Sequence, residues 1–463
     1  MTPPRRFVSS LLTVSVLIAG GGCATLPNVS ETMGEAPEGK APDRIVSAKG
    51  LLSPATSKAI MERLERSVDP TDVVQRFTAV IESVTGTPAV KGNAVKLLID
   101  GPATYAAMFA AIQAARVDID LESYILEDDE EGRRFADLLM KKAAEGVPVH
   151  VIYDSLGSLG TAAAFFDRLR DAGIQVVEFN QTNPLKDHGK WGLLHRDHRK
   201  ILVVDGKLAI IGGINISKVY SSSPSGTRKR KGAPVGWRDT DVQIEGPAAA
   251  EFQKLFLDTW RQQKGPSIPE QAELPVRNDA GTALVRALGS TPGETNRITF
   301  VAYVAAITFA QHSIHLTNAY FVPDDQILEA FEDAARRGVD VEIILPSITD
   351  APAVLSAQRY RYSELLRAGV KIFERRNVVM HAKTAVIDGI WSTVGSTNMD
   401  YLSFLSNNEV NAVILSREFA DEMEKAFARD RAASDPISWD KWRRRAEAEK
   451  VEEWVAHLFF RWL

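Results

Sequence analysis

His198-Arg199-Lys200-Ile201-Leu202-Val203-Val204-Asp205-Gly206 and, further on, His381-Ala382-Lys383-Thr384-Ala385-Val386-Ile387-Asp388-Gly389 are two versions of one pattern. Each continues to a small-residue pair and an asparagine: Gly212-Gly213 with Asn215, and Gly395-Ser396 with Asn398. Every matched position stands at the same offset from its histidine, so the chain carries two copies of one half-site.

The β-branched runs after Lys200 and Lys383 predict strands. Residues two apart on a strand share a face, so His198 points with Lys200 and His381 with Lys383. Asp205-Gly206 and Asp388-Gly389 supply the positive φ of hairpin turns, and return strands follow over Leu208–Ile211 and Ile390–Val394. The small pairs after them would let backbone approach a ligand. Asn215 and Asn398 would offer amide donors to an oxyanion.

The repeat extends outward from the hairpins. Ile119, Leu121 and Tyr124 match Ile314, Leu316 and Tyr320; Val149–Tyr153 matches Val341–Leu345; Leu169–Ile174 matches Leu365–Val370. Each half alternates helix and strand three times before its hairpin, the pattern of an α/β domain with a largely buried sheet. After each hairpin comes a carboxylate, Asp239 in Trp237-Arg238-Asp239-Thr240 and Glu409 in Asn407-Asn408-Glu409-Val410. A carboxylate facing an imidazole fixes its tautomer and stabilises its charged form.

Expected boundaries follow. Residues 1–23 read as a signal segment, 24–85 as a linker with a helical stretch from 54, 86–262 and 275–434 as the two repeats, and 435–463 as an amphipathic tail. Gly265, Pro266, Pro269 and Pro275 mark the break between repeats. Arg5-Arg6, an apolar run and Gly20-Gly21-Gly22 precede Cys23, the chain's single cysteine. That is the layout of an export signal. Small residues before a lone cysteine resemble a bacterial lipoprotein site, with lipidation on Cys23, although Gly20 stands where leucine is common; a non-lipidated signal peptide fits as well. One cysteine excludes an intrachain disulfide and a thiolate metal site.

The composition is ordinary for a globular protein, 45% hydrophobic and 25% charged, with a net charge of −5. An acidic balance argues against a dedicated nucleic-acid binder. Arg228-Lys229-Arg230-Lys231 reads either as a loop holding anionic headgroups or as a solvated loop. Val451, Trp454, Val455, Leu458, Phe459 and Trp462 form an apolar stripe at helical spacing. An interfacial membrane helix and a helix closing onto the second repeat both fit it.

The paired histidine-lysine-aspartate elements resemble the phospholipase D superfamily. The stretches His195–Lys200, Gly212–Ile216, Gly236–Asp239, Gly395–Asp400 and Asn408-Glu409 are similar to bacterial cardiolipin synthases. Those enzymes often begin with membrane-spanning helices, where this chain has a signal-like segment. The resemblance implies two tandem α-β-α sandwich domains sharing one active site. It implies catalysis by His198, Lys200, Asp205, His381, Lys383 and Asp388, with phosphate support from Asn215, Asn398, Asp239 and Glu409. One histidine attacks phosphorus and the other handles the leaving-group proton. Related two-copy enzymes often use the first, which points to His198. Asp205 and Asp388, sitting at the turns, read as structural supports. Two lysines supply the cationic charge, so neither metal nor cofactor is needed. The implied substrate is an anionic phospholipid at a membrane surface, with the enzyme exported and attached to the bacterial cell envelope. The expected reaction is phosphatidyl transfer forming cardiolipin from phosphatidylglycerol; hydrolysis to phosphatidate and a nucleic-acid phosphodiesterase are the rivals.

Overall fold

The computed structural model describes residues 25–35, 44–181, 195–225, 236–268, 279–294 and 297–459. Cys23 and its signal segment, the basic run at 228–231, Trp462 and most of the proline-rich break lie outside them.

Each repeat folds around a seven-stranded mixed sheet, extended in the second by Ser434–Ile437 antiparallel to Lys371–Arg375. In the first, the order is Gln175–Phe179, Val149–Asp154, Ile119–Ser123, Lys200–Val204, Leu208–Gly212, Thr240–Glu245 and the latter part of Ala89–Ile99. The second repeats it with Lys371–Arg375, Asp340–Pro346, Ser313–Thr317, Thr384–Ile387, Trp391–Gly395, Asn407–Leu415 and Ala283–Ser290. The first three strands of each are parallel and joined through helices, and the rest are antiparallel. Ile119–Ser123 and Val149–Asp154 are buried at every position, as expected of strands covered on both faces.

The expected turns form: Asp205 and Gly206 have φ of 54° and 59°, Asp388 and Gly389 of 51° and 62°. The opening strand of each sheet was not anticipated. Ala89–Ile99 also joins the two sheets: Val90 and Asn93 pair with Val285 and Ala283, whereas Ala94–Ile99 pair with Glu245–Thr240. The switch falls between Asn93 and Ala94, just after Gly92, whose φ of 95° suits glycine.

The amino-terminal region departs from a plain linker. Val29–Glu35 is helical and Ile45–Ser47 pairs with Gly50–Leu51. Val29 is wholly buried, and its amide donates to Gln326 Oε1 at 2.9 Å. The helices Pro54–Glu65 and Gln75–Thr85 pack on the second repeat. The cause lies in the helix Ile298–Phe309, apolar all round and buried at eleven of its twelve positions. Such a helix needs cover on every side, and Phe77, Val80 and Ile81 share its core. Its counterpart Asp100–Ala114 keeps exposed positions and needs no such cover. The tail helix Glu447–Leu458 lies against Pro352–Ala368, where His457 stacks on Tyr360 at 4.1 Å. Its residues Val451, Trp454, Val455 and Leu458 remain 44–58% exposed. Among the described residues no helix is long and apolar enough to cross a membrane.

Candidate active site

The two hairpins meet across the boundary between repeats. The His198 amide donates to the Asn408 carbonyl at 3.0 Å, and the His381 amide donates to the Arg238 carbonyl at 2.7 Å. Asn408 and Arg238 each immediately precede the paired carboxylate, so each histidine receives its acid from the opposite repeat. His198 Nδ1 lies 3.1 Å from both Glu409 oxygens; His381 Nδ1 lies 2.7 Å from Asp239 Oδ2. A proton on each Nδ1 satisfies the carboxylate and leaves the Nε2 lone pair available. Sequence pairing aligned Asp239 with Glu409, but the crossing of partners had no local signal.

His198 and His381 line one cleft of about 410 Å³ with Tyr124, Asn215, Trp237, Tyr320 and Asn398. Lys200 and Lys383 sit beneath, donating through Nζ to the carbonyls of His198 and His381 at 2.6 and 2.5 Å. Matched tyrosines flank the lysines, with Lys200 Nζ 5.1 Å from the Tyr124 ring centre and Lys383 Nζ 6.0 Å from that of Tyr320. Asn215 is oriented by its Oδ1, which accepts from the Ile125 amide at 3.1 Å. Tyr220, absent from the sequence reading, brings its hydroxyl within 3.2 Å of His381 Nδ1.

Burial dominates the electrostatics. It pulls the Lys200 ammonium down to about 7 and that of Lys383 to about 8, against the opposing pull of Glu409 and Asp239. It also lowers both imidazoles. For His198 the Glu409 carboxylate opposes the shift; for His381 the two lysines deepen it. Burial thus pushes both imidazoles toward their neutral forms, against the carboxylates that favour the charged ones. A bound phosphate anion reverses this by restoring negative charge beside the cations.

The two acids differ for a reason visible in the motif. The Ser396 hydroxyl donates to Glu409, which stays below the usual carboxylate range despite its burial, held by His198, Lys200 and that hydroxyl. Gly213 has no hydroxyl to offer, and burial raises Asp239 to about 6. The small pairs are thus not a ligand cradle. A Cβ on Gly212 would overlap the Asp241 carboxylate, one on Gly213 that of Asp239, and one on Gly395 the Val410 carbonyl.

Asp205 and Asp388 stand apart from the cleft, at the far ends of the hairpin strands. Asp205 accepts from the amides of Arg116, Val117 and Asp118, and Asp388 from those of Gln311, His312 and Ser313. They splice each hairpin to the chain leaving the helices Asp100–Ala114 and Ile298–Phe309, a placement that suits a support better than a group in contact with substrate. His195 is structural as well, its Nε2 lying 3.1 Å from Asn408 Oδ1.

Residues 108–223 and 303–431 match the family described as cardiolipin synthase, PLD-like domain. The cardiolipin synthase of Alkalihalophilus pseudofirmus is 34% identical over 80% of this chain and 72% of its own length. Cardiolipin synthase A of Pseudomonas aeruginosa is 35% identical over 76% and 69%. Among solved structures, the phosphatidylserine synthase of Haemophilus influenzae shares the fold with a TM-score of 0.62, at 13% identity over 86% of this chain and 97% of its own. Two complete half-sites, crossed through their acids and matched by that family in both repeats, place the chain in the cardiolipin synthase family of the phospholipase D superfamily.

Proposed function

We propose that this enzyme is a phosphatidyltransferase that joins two phosphatidylglycerols into cardiolipin and releases glycerol. The observation that carries this reading is the pair of histidines in one cleft, each with Nδ1 on a carboxylate of the opposite repeat and a lysine beneath. The donor phosphodiester lies between them, its non-bridging oxygens facing Lys200, Lys383, Asn215 and Asn398. Nε2 of His198 attacks phosphorus, and the bond to the glycerol headgroup breaks. His381, its imidazolium stabilised by Asp239, gives its Nε2 proton to the departing alkoxide. The neutral His381 then takes the proton of the acceptor's primary hydroxyl. The acceptor oxygen bonds to phosphorus and the N–P bond breaks, which returns His198. The choice of His198 as nucleophile rests on family resemblance, since each histidine has a carboxylate on Nδ1 and a lysine beneath it.

Attachment to a membrane belongs to the same proposal. Among the described residues, apart from Leu51, the exposed large hydrophobics are Leu156, Leu159 and Ile348, in the loops after Val149–Asp154 and Asp340–Pro346, and the tail helix stripe. Leu156 lines the cleft, and the helix Pro352–Ala368 joins the two regions, with Val354 at the cleft and Tyr360 against the tail. Export to the periplasmic side of the envelope, with acylation at Cys23, completes this reading.

The test is lipid analysis by mass spectrometry in a host lacking cardiolipin, paired with purified, EDTA-dialysed enzyme on phosphatidylglycerol vesicles. Cardiolipin and glycerol are expected in equal amounts. Phosphatidate in place of cardiolipin would make water the acceptor and the enzyme a hydrolase.

A further inference from the structure

The cleft breaks the repeat at one position. Arg196 lines it two residues before His198, where the second repeat has Val379 before His381. Among the described residues lining the cleft it is the one guanidinium. Its Nε donates to the His195 carbonyl at 2.6 Å, and its Nη1 reaches Asp154 Oδ1 at 3.4 Å and Ser155 Oγ at 3.3 Å. Among the described residues no group accepts from Nη2. Among the described residues the fork is clamped through Nε and Nη1.

We propose that Arg196 binds the acceptor lipid's own phosphate, so that the cleft holds two phosphates at once. The proposal rests on the transferase reading above. The reacting phosphate is served by a symmetric set, Lys200 with Lys383 and His198 with His381. A cation with no counterpart in the other repeat matches something present once, and the acceptor is an anion that enters from one side. Spacing agrees with this. Residues two apart on an extended chain are separated by roughly 6.6 Å, comparable to the reach of a three-carbon bridge and its ester oxygens between two phosphorus atoms. Guanidinium is the side chain whose planar donors fit a phosphate. The other side of the cleft suits hydroxyls better than anions, because Asp350 lines it and accepts from the Tyr320 hydroxyl at 2.6 Å.

The test exploits competition for one intermediate. Labelled phosphatidylglycerol is supplied with ethanol, and cardiolipin is measured against phosphatidylethanol in the same reaction. That ratio does not depend on how much enzyme is folded. Arg196→Gln should lower it by roughly 10- to 100-fold, the span expected for a hydrogen bond to a charged group, and Arg196→Lys should restore part of it. Because Arg196→Gln leaves Asp154 without its cation, the double variant Asp154→Asn/Arg196→Gln is run beside it and should show the same fall. An unchanged ratio in either variant overturns the proposal. So does parallel loss of both products in all variants, which would assign Arg196 to the reacting phosphate or to folding. Wild-type enzyme that makes phosphatidylethanol but no cardiolipin would instead refute the transferase reading itself.

Discussion

Asp239 Oδ2 lies 2.7 Å from His381 Nδ1, and the two residues belong to different repeats. Neither half-site is complete within its own repeat, since Glu409 does the same for His198. Asp239→Asn keeps the shape but removes the charge that stabilises the imidazolium. Its kcat should fall roughly a hundredfold or more, within the range of acid–base contributions, with KM for phosphatidylglycerol nearly unchanged. Steady-state kinetics with a fluorescent donor lipid would check this. Wild-type kcat in Asp239→Asn would remove Asp239 from catalysis.

The histidines themselves separate the nucleophile from the acid. His198→Ala and His381→Ala should each lose nearly all transfer. A quenched reaction with labelled donor should place phosphorus on His198, read by peptide mapping. An adduct on His381 reverses the two roles and leaves the shared cleft intact; robust turnover by both variants would contradict the shared cleft.

Burying two ammonium groups has a cost in the empty protein. Lys200 titrates at about 7 when folded and at its ordinary, higher value when unfolded. Between those values the unfolded chain binds more protons, so stability rises with pH through that window. The same holds for Lys383 above about 8. Lys200→Met should therefore abolish transfer yet leave the ligand-free protein at least as stable near pH 7, with a weaker rise toward pH 9. Thermal unfolding across pH measures both. In wild-type enzyme the free cleft loses its cations above about 7 to 8. The alkaline limb of kcat/KM should accordingly lie at lower pH than that of kcat, because bound phosphate holds the protons on.

Asp388→Ala should behave as a folding variant. It strands the amides of Gln311, His312 and Ser313 and removes the acceptor for the Thr71 hydroxyl. Unsatisfied groups cost about 1–3 kcal/mol each, so a loss of at least about 3 kcal/mol is expected in denaturant titration. The folded fraction should keep wild-type activity. Loss of activity without loss of stability would return Asp388 to the chemistry.

The proposed membrane attachment separates into two testable parts. Cys23→Ser should abolish labelling by a palmitate analogue and shift the protein toward the soluble fraction, since acyl chains contribute about 0.8 kcal/mol per buried CH₂. Deleting residues 451–463 in that background should release what remains. A wild-type protein that takes up no lipid label would make residues 1–23 an ordinary signal.

The site was legible where its signals were local. The motif offsets, the Asp-Gly turns, the matched tyrosines and the carboxylates after each hairpin all lie on short stretches of chain. The crossing of His198 to Glu409 and of His381 to Asp239 was not, because residues some two hundred apart in one pair and 142 in the other carry no shared periodicity. Gly213 and Ser396 were read as room for a ligand; their neighbours, visible only in three dimensions, are Asp239 and Glu409. Val29 was invisible as core, and the partner of Phe77 was not legible, for a similar reason. Their burial answers to Ile298–Phe309, a helix far away in sequence that needs covering.

The strand Ala89–Ile99 gives the molecule a property of inheritance. It completes the sheet of the first repeat while lending its opening residues to the second. A gene fragment encoding either repeat alone would yield an imidazole without its acid, and one encoding the second alone would also lack the residues lent to its sheet edge. Two copies of one such repeat could supply each other's acids around a twofold axis, but only while every residue remained the same in both. A single chain is under no such constraint: Ser396 stands where the first repeat has Gly213, and Arg196 where the second has Val379, so the cleft has a direction.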